Sequence, residues 1–263
     1  MYDQNAGLTK VKKFLLVSSG KGGVGKSTIA ANLAGALNNL GLKVGILDAD
    51  ISGPSQAVMW DLPTNVPVAV TENKELSLPF VSHGVKIATL ATRIADNHAV
   101  QWRGPMASIA LVNLLCHTNW EELDCLLVDM PPGTGDIQVS ICQKLPEAKV
   151  VSVTTPQQVA VADTRRGMQM YIAQNITLIG VIENMSTHIC ENCGHNNAIF
   201  GTDGAQQLCN EYQVPLLGQL PLDPFVRFQA DSGKPLTICD PLHPVSKIYV
   251  KIAEQIWNSF KEK

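Results

Sequence analysis

Residues Gly20, Lys21, Gly22, Gly23, Val24, Gly25, Lys26, Ser27 and Thr28 read as a phosphate-binding loop. The pattern is G-x-x-x-x-G-K-[ST], and an apolar run at 14–17 precedes it, where a strand should hand over to a helix. Glycines lack a Cβ, so the backbone can curl tightly and turn its N–H groups inward. Those groups, with the positive end of the following helix, make an anion cradle. Lys26 is expected to reach the β- and γ-phosphates of a nucleoside triphosphate, and Ser27 to ligate Mg2+.

Acidic residues stand where such a site needs them. The apolar run 44–47 ends in Asp48-Ala49-Asp50, followed by Ile51-Ser52-Gly53-Pro54-Ser55. Carboxylates at the carboxyl end of a strand face the side where α/β folds bind ligands. Asp50 is expected to orient or activate a water, with Asp48 nearer the strand and the Mg2+ shell. The run 125–128 ends in Asp129, a Walker B pattern whose carboxylate holds Mg2+ directly or through water. Met130-Pro131-Pro132-Gly133-Thr134-Gly135-Asp136 follows, a loop of stiff and free joints that can take two positions depending on the γ-phosphate. No arginine finger is obvious.

Farther along, the run 178–182 ends in Glu183-Asn184-Met185, and Asn184 suits a strand-to-loop exit. Soon after comes Cys190-Glu191-Asn192-Cys193-Gly194-His195. Two thiolates at this spacing can grip one metal or cluster iron, but a full site normally needs four ligands. Three readings are open. Two chains can pair their cysteines at a two-fold axis, His188 or His195 can complete a zinc site within one chain, or the pair can be a redox dithiol.

The elements that must position these residues alternate along the chain. Strands are predicted at 14–17, 44–47, 85–90, 125–128, 150–153, 178–182 and 216–217. Helices are predicted at 27–40, 105–117, 159–171, 204–212 and 245–260. Apolar strands between helices argue a parallel sheet covered on both faces. The fold class is therefore α/β, a single P-loop NTPase domain with a mainly parallel sheet of roughly seven or eight strands. The domain is expected over 14–263 after a flexible segment, 1–13. Leu33, Leu37 and Leu40 mark the inward face of the first long helix. Residues 62–84, with Pro63, Pro67 and Pro79, break the rhythm and read as a hairpin-like excursion on the sheet rim.

The chain has 263 residues, 45% hydrophobic and 16% charged, and a formal net charge of −3. That balance gives no electrostatic invitation to nucleic acid or anionic lipid. No apolar run is long enough to span a membrane, and the N-terminus lacks the apolar stretch of a secretory signal, so a cytoplasmic location is the default. Cys116, Cys125, Cys142, Cys209 and Cys239 read as reduced, mostly buried small hydrophobes. Ile248, Ile252, Ile256 and Phe260 give the last helix an apolar stripe, expected to pack on the sheet rather than lie on a membrane.

Lys21 is not required by the plain loop motif. A lysine there resembles the deviant Walker A of the family that includes the nitrogenase iron protein, MinD and ParA. Taken whole, the sequence resembles the Mrp/ApbC family of iron–sulfur cluster carrier ATPases. The matching stretches are 20–28, 48–55, Trp102-Arg103-Gly104-Pro105, 129–136, Thr154-Thr155-Pro156-Gln157, 183–186, 190–194 with Ile199-Phe200-Gly201, 221–223 and 232–235. The resemblance implies a homodimer that binds ATP, with Lys21 reaching the nucleotide of the other subunit. It implies that Asn184 hydrogen-bonds the adenine and that Pro221 and Asp223 flank the base. It also implies a labile 4Fe-4S cluster held between subunits by Cys190 and Cys193 and passed to apo-proteins. Many bacterial members carry an extra small α/β domain ahead of the first strand, so contact with other assembly factors is expected to take another route here. The rival expectations are a MinD- or ParA-like positioning ATPase, which lacks the cysteine pair, and a small-molecule kinase or ligase on the same scaffold.

Overall fold

Runs of Val, Leu and Ile uninterrupted by polar residues can be satisfied only where both faces of a strand are covered. In the computed structural model they form the middle of the sheet: β1 (Val11–Ser19), β2 (Val44–Asp48), β5 (Leu123–Asp129), β6 (Lys149–Thr154) and β7 (Thr177–Glu183). The structure describes residues 5–51, 53–63, 66–67, 69–72, 75–93, 104–190 and 192–261. Short strands β3 (Phe80–Ser82), β4 (Val85–Ala88) and β10 (Leu216–Gln219) complete an eight-stranded sheet of order β10-β7-β6-β1-β5-β2-β4-β3. All pairings are parallel except β3 with β4.

That exception takes in the end of the expected excursion, whose last residues, 80–84, supply β3 and the turn of a hairpin with β4. Its turn is His83-Gly84, with φ of 49° and 82°. Two positive values in succession match the turn whose twist suits paired strands. The third strand was not foreseen because its three residues carry no alternation of their own.

Helices α1 (Lys26–Asn39), α8 (Leu236–Cys239) and α9 (Pro244–Ser259) cover one face of the sheet. Helices α3 (Gly104–Cys116) and α4 (Asp136–Lys144) cover the other, and α5 (Gln158–Ala173) with α6 (Gly204–Tyr212) extends the layers toward β7. Helices α2 (Gln56–Met59) and α7 (Pro224–Asp231) flank the carboxyl end of the strands. Sequence patterning missed α2, α4, α7 and α8, which are short or begin at Pro or a Gly-rich loop. In α1, Leu33 and Leu37 are buried as expected, whereas Leu40 caps the helix and is 37% exposed. The stripe of α9 is spent on the core: Ile252 and Ile256 are fully buried and α9 packs along α1. Among the described residues no helix is long and apolar enough to cross a membrane.

Two boundaries are corrected. The first strand opens at Val11, not Phe14, and a single helical turn at Ala6–Leu8 packs against α3 with Leu8 buried. The segment expected to be flexible therefore joins the packed unit from residue 6. Cys239 is exposed, unlike Cys116, Cys125, Cys142 and Cys209. Burial holds the buried thiols in their neutral form, pushing Cys125 up to about 12 and Cys142 and Cys209 up to about 11. Trp102, Arg103, Ser52 and Glu191, part of the motifs above, lie outside the described residues; Gly104 and Pro105 open α3.

Candidate nucleotide site and cysteine hairpin

The phosphate loop links β1 to α1. Gly25 is the N-cap of α1 at φ 82°, and a Cβ there would stand 2.2 Å from Asn184 Nδ2. Glycine is thus required twice over, by backbone and by space. At the other end of the loop, a Cβ on Gly20 would strike the backbone of Asp163 in α5 at 2.1 Å. The first turn of α1 carries no acidic side chain, so its positive end is left for an anion. Around the loop lies a cleft of about 600 Å3, open to solvent and lined by Lys21, Gly22, Gly23, Lys26, Ser27, Thr28, Asp50 and Pro132 among others. Lys21 is half-buried and faces the cleft of its own chain.

Under the loop, Asp48 and Asp129 end neighbouring strands in register, β2 beside β5. Both are buried, Asp129 completely. Lys26 Nζ donates to Asp129 Oδ1 at 2.5 Å and lies 3.2 Å from Ser27 Oγ. One ammonium thus touches both expected Mg2+ partners. Burial first, then the neighbouring carboxylate of Asp129, pushes Asp48 up to about 8, against donors from the Gln56 and Asp50 backbones and the Lys26 charge. Two buried carboxylates beside one lysine are short of positive charge. Oxygen donors in that state suit a hard divalent cation, so the residues present fit Mg2+. Asp50 is half-buried, reaches the cleft, and accepts from Gly53 N at 3.3 Å.

Gln56 was missed by sequence reading. It is fully buried and donates from Nε2 to Asp129 Oδ2 at 2.8 Å and to Ser27 O at 3.1 Å. Its backbone N donates to Asp48 Oδ2 at 3.1 Å. Thr89, also unforeseen, donates to the same oxygen at 3.3 Å. The available signal was a lone polar residue heading the apolar face Gln56, Met59, Trp60 just after the Asp50 loop. The loop after Asp129 is held by Met130 N to Val17 O and Gly133 N to Ser19 O, and by Gln138 Nε2 on the carbonyls of Pro131 and Pro132.

Asn184 leaves β7 toward this site and donates from Nδ2 to Val24 O in the phosphate loop at 2.9 Å. Pro221 and Asp223 lie on the strand exit alongside, where Ser186 N bonds Leu220 O and Leu222 N bonds Thr187 O. Asp223 is the N-cap of α7, its Oδ1 accepting from Phe225 N at 2.8 Å. The cysteines stand apart from the cleft. Two-residue strands β8 (His188–Ile189) and β9 (Asn196–Asn197) pair antiparallel, and Cys190, Cys193 and Gly194 lie between them. Cys190 N bonds His195 O, and Gly194, at φ 69°, turns its N–H back to Cys190 O at 2.8 Å. Cys190 is half-buried and Cys193 exposed. Among the described residues no three His, Cys, Asp or Glu side chains gather into a metal-holding group.

This geometry agrees with comparison to known proteins. A family model described as ParA, NUBPL iron-transfer P-loop NTPase, matches residues 10–257. An iron-sulfur cluster carrier protein of Pseudomonas fragi is 49% identical over 250 residues, covering 95% of this chain and 87% of that protein. One from Escherichia coli strain K12 is 45% identical, covering 95% of this chain and 67% of its own. The nucleotide-binding protein of Archaeoglobus fulgidus, solved in complex with ADP, superposes with a TM-score of 0.76 at 32% identity, over 88% of this chain and 90% of that one. Phosphate loop, paired carboxylates and family match run through the same residues, and the chain belongs to the NUBPL iron-transfer P-loop NTPase family.

Proposed function

We propose that this chain is an ATP-dependent iron–sulfur cluster carrier: a cytoplasmic homodimer that holds a labile 4Fe-4S cluster between two Cys190/Cys193 pairs and hands it to apo-proteins. The observation that carries this reading is the hairpin. It exposes a thiol on a loop built for two cysteines, and no third ligand gathers around them among the described residues. Two chains supply four thiolates, and a cluster held at exposed loop tips can be released, as a carrier requires.

ATP is the substrate of the other end. Lys26 leaves Asp129 to meet the β- and γ-phosphates, and the N–H groups of Gly22 to Gly25 cradle them. Ser27 and Asp129, with Asp48 behind them, hold Mg2+, which supplies charge neutralisation on the phosphates. Asp50 orients the attacking water for hydrolysis to ADP and phosphate. Lys21 of one chain completes the charge on the partner's nucleotide, so turnover is slow until the dimer closes. Asn184 contacts the adenine, flanked by Pro221 and Asp223. Through Asn184 the loop that senses nucleotide and the hairpin that holds cargo share one strand exit, which supports coupling between them. The partners are apo iron–sulfur proteins and assembly factors, not nucleic acid and not a membrane.

Anaerobic reconstitution with iron and sulfide, followed by absorption spectroscopy and dimer sizing, tests this. The expected result is one cluster per dimer, lost together with dimerisation. Stoichiometric zinc in a single chain without iron–sulfur absorbance would overturn it.

A further inference from the structure

Gln56 touches Ser27, Asp48 and Asp129 at the base of the candidate metal-phosphate centre, yet nothing in the phosphate-loop chemistry calls for it. Its side-chain orientation is decided by chemistry. Trp60 Nε1 lies 3.0 Å from the amide oxygen. An indole nitrogen only donates, so that position must be oxygen and the opposite one nitrogen. Trp60 is 1% exposed, so its N–H has no water to turn to. The Nε2 group is thereby aimed at Asp129 Oδ2 and Ser27 O, and both of its hydrogens are used.

The consequence falls on Asp129. A carboxylate buried completely can rotate and offer either oxygen unless one is held. Here Oδ2 is held by the neutral amide, and Oδ1 alone faces the cation, at present Lys26 Nζ. An amide does this without adding charge beside a second buried carboxylate, Asp48, which accepts from the backbone N of the same Gln56. The Trp60 end is itself anchored, its carbonyl accepting from Ser82 Oγ in β3 at 3.2 Å.

We propose that Gln56 is a positioning residue that presents Asp129 Oδ1 to the metal of a bound metal–nucleotide complex, and that Trp60 both fixes Gln56 and reports occupancy of the site. This rests on the reading of the site as a Mg2+–ATP centre. A metal held by Asp129 in place of Lys26 would alter the charge on its carboxylate. The hydrogen-bonded chain Asp129–Gln56–Trp60 carries that change to a buried indole.

The test is a titration of Mg2+ into the 263-residue chain with ATP bound, read by calorimetry and by tryptophan fluorescence. In Gln56→Leu the Mg2+ concentration at half-saturation should rise by about 10-fold to 100-fold, the usual cost of losing a partner behind a metal ligand. ATP affinity without metal should stay near the wild-type value. Trp60→Phe keeps the amide but frees its orientation. It should raise the half-point by a smaller factor and abolish the metal-dependent fluorescence change, although Trp102, Trp120 and Trp257 remain. If Gln56→Leu fails to fold, Trp60→Phe decides alone. An unchanged Mg2+ half-point in a folded variant would overturn the proposal and leave Gln56 a packing residue. The titration reads binding, so absence of hydrolysis would count against the ATPase reading without touching the role of Gln56.

Discussion

The carboxyl edge of the sheet carries two sites built on opposite principles. At the phosphate loop, Lys26, Ser27, Asp48, Asp129 and Gln56 lock one another in a single buried arrangement. At the hairpin, two strands of two residues each hold a loop tip exposed to solvent. The first site is already interlocked within one chain before nucleotide arrives. The second gathers no third His, Cys, Asp or Glu among the described residues, and under the proposed function a second chain completes it. Rigidity where charge must be stabilised and looseness where cargo must leave are the two demands of a carrier.

The strongest way to break this contrast is to remove ligands at the loose end. Cys190→Ser or Cys193→Ser should abolish cluster binding on reconstitution, because two serines per dimer replace half the thiolates. ATP binding should be unaffected. Retained iron–sulfur absorbance in either variant would sink the shared-site reading. At the rigid end Lys26→Ala should abolish productive ATP binding, measured by calorimetry, while a cluster can still be reconstituted. If both ends fail together, they are one cooperative unit and the contrast is wrong.

Lys21→Ala probes whether the rigid end is truly complete in one chain. Binding of ATP should survive, and hydrolysis should fall by about 10²-fold or more if Lys21 supplies charge to the partner's nucleotide. Equal turnover in both proteins would remove that role. A milder effect is expected from Asp48→Asn in the nucleotide-free chain. Burial, then the neighbouring Asp129, raises Asp48 in the folded state to about 8 from its ordinary 3.8. Stability linked to it is full below the lower value and is lost as pH rises through the higher one. Asparagine cannot ionise, keeps its oxygen for Gln56 N, and gives up the weak 3.2 Å contact from Asp50 N. The variant should therefore gain on the order of 1 kcal/mol above pH 8, or about 2–4 °C in melting temperature, and nothing near pH 4. A loss at high pH would mean that Asp48 is held ionised by its donors.

The same contrast explains what the sequence disclosed. The phosphate loop was legible because its chemistry is local: consecutive residues share one turn, and their spacing is the function. Asp48 and Asp129 were legible because each ends an apolar run, and parallel register then brings them side by side. Gln56 was not, because its partners lie in three separate elements and nothing in Ser55-Gln56-Ala57 foretells them. Strand β3 and helices α2 and α8 were missed for a related reason. Pieces of three or four residues have no period to read, and tertiary packing alone fixes them. The hairpin was half legible: the Cys-x-x-Cys spacing suggested a grip on metal, but the ligands that the proposed second chain would supply leave no trace in the first.

Asp223 lies on the seam between the two ends, and the smallest prediction concerns it. Its expected place is beside the adenine, yet its carboxylate caps α7, and the preceding Leu222 N bonds Thr187 O at the base of the hairpin. A cap of this kind contributes about 1 kcal/mol, and asparagine serves nearly as well as aspartate. If capping is its whole task, Asp223→Ala should lower stability by about that amount, Asp223→Asn should restore it, and ATP affinity should not change in either. If the carboxylate also serves the nucleotide, Asp223→Asn will be stable but bind ATP more weakly. That outcome would move the seam into the rigid site. An Asp223→Ala protein that binds ATP normally but loses its cluster faster would assign the seam to the hairpin, since only α7 and the Leu222–Thr187 contact would have loosened. Urea unfolding, calorimetry with ATP and the rate of cluster loss, measured on the same three proteins, separate the cases.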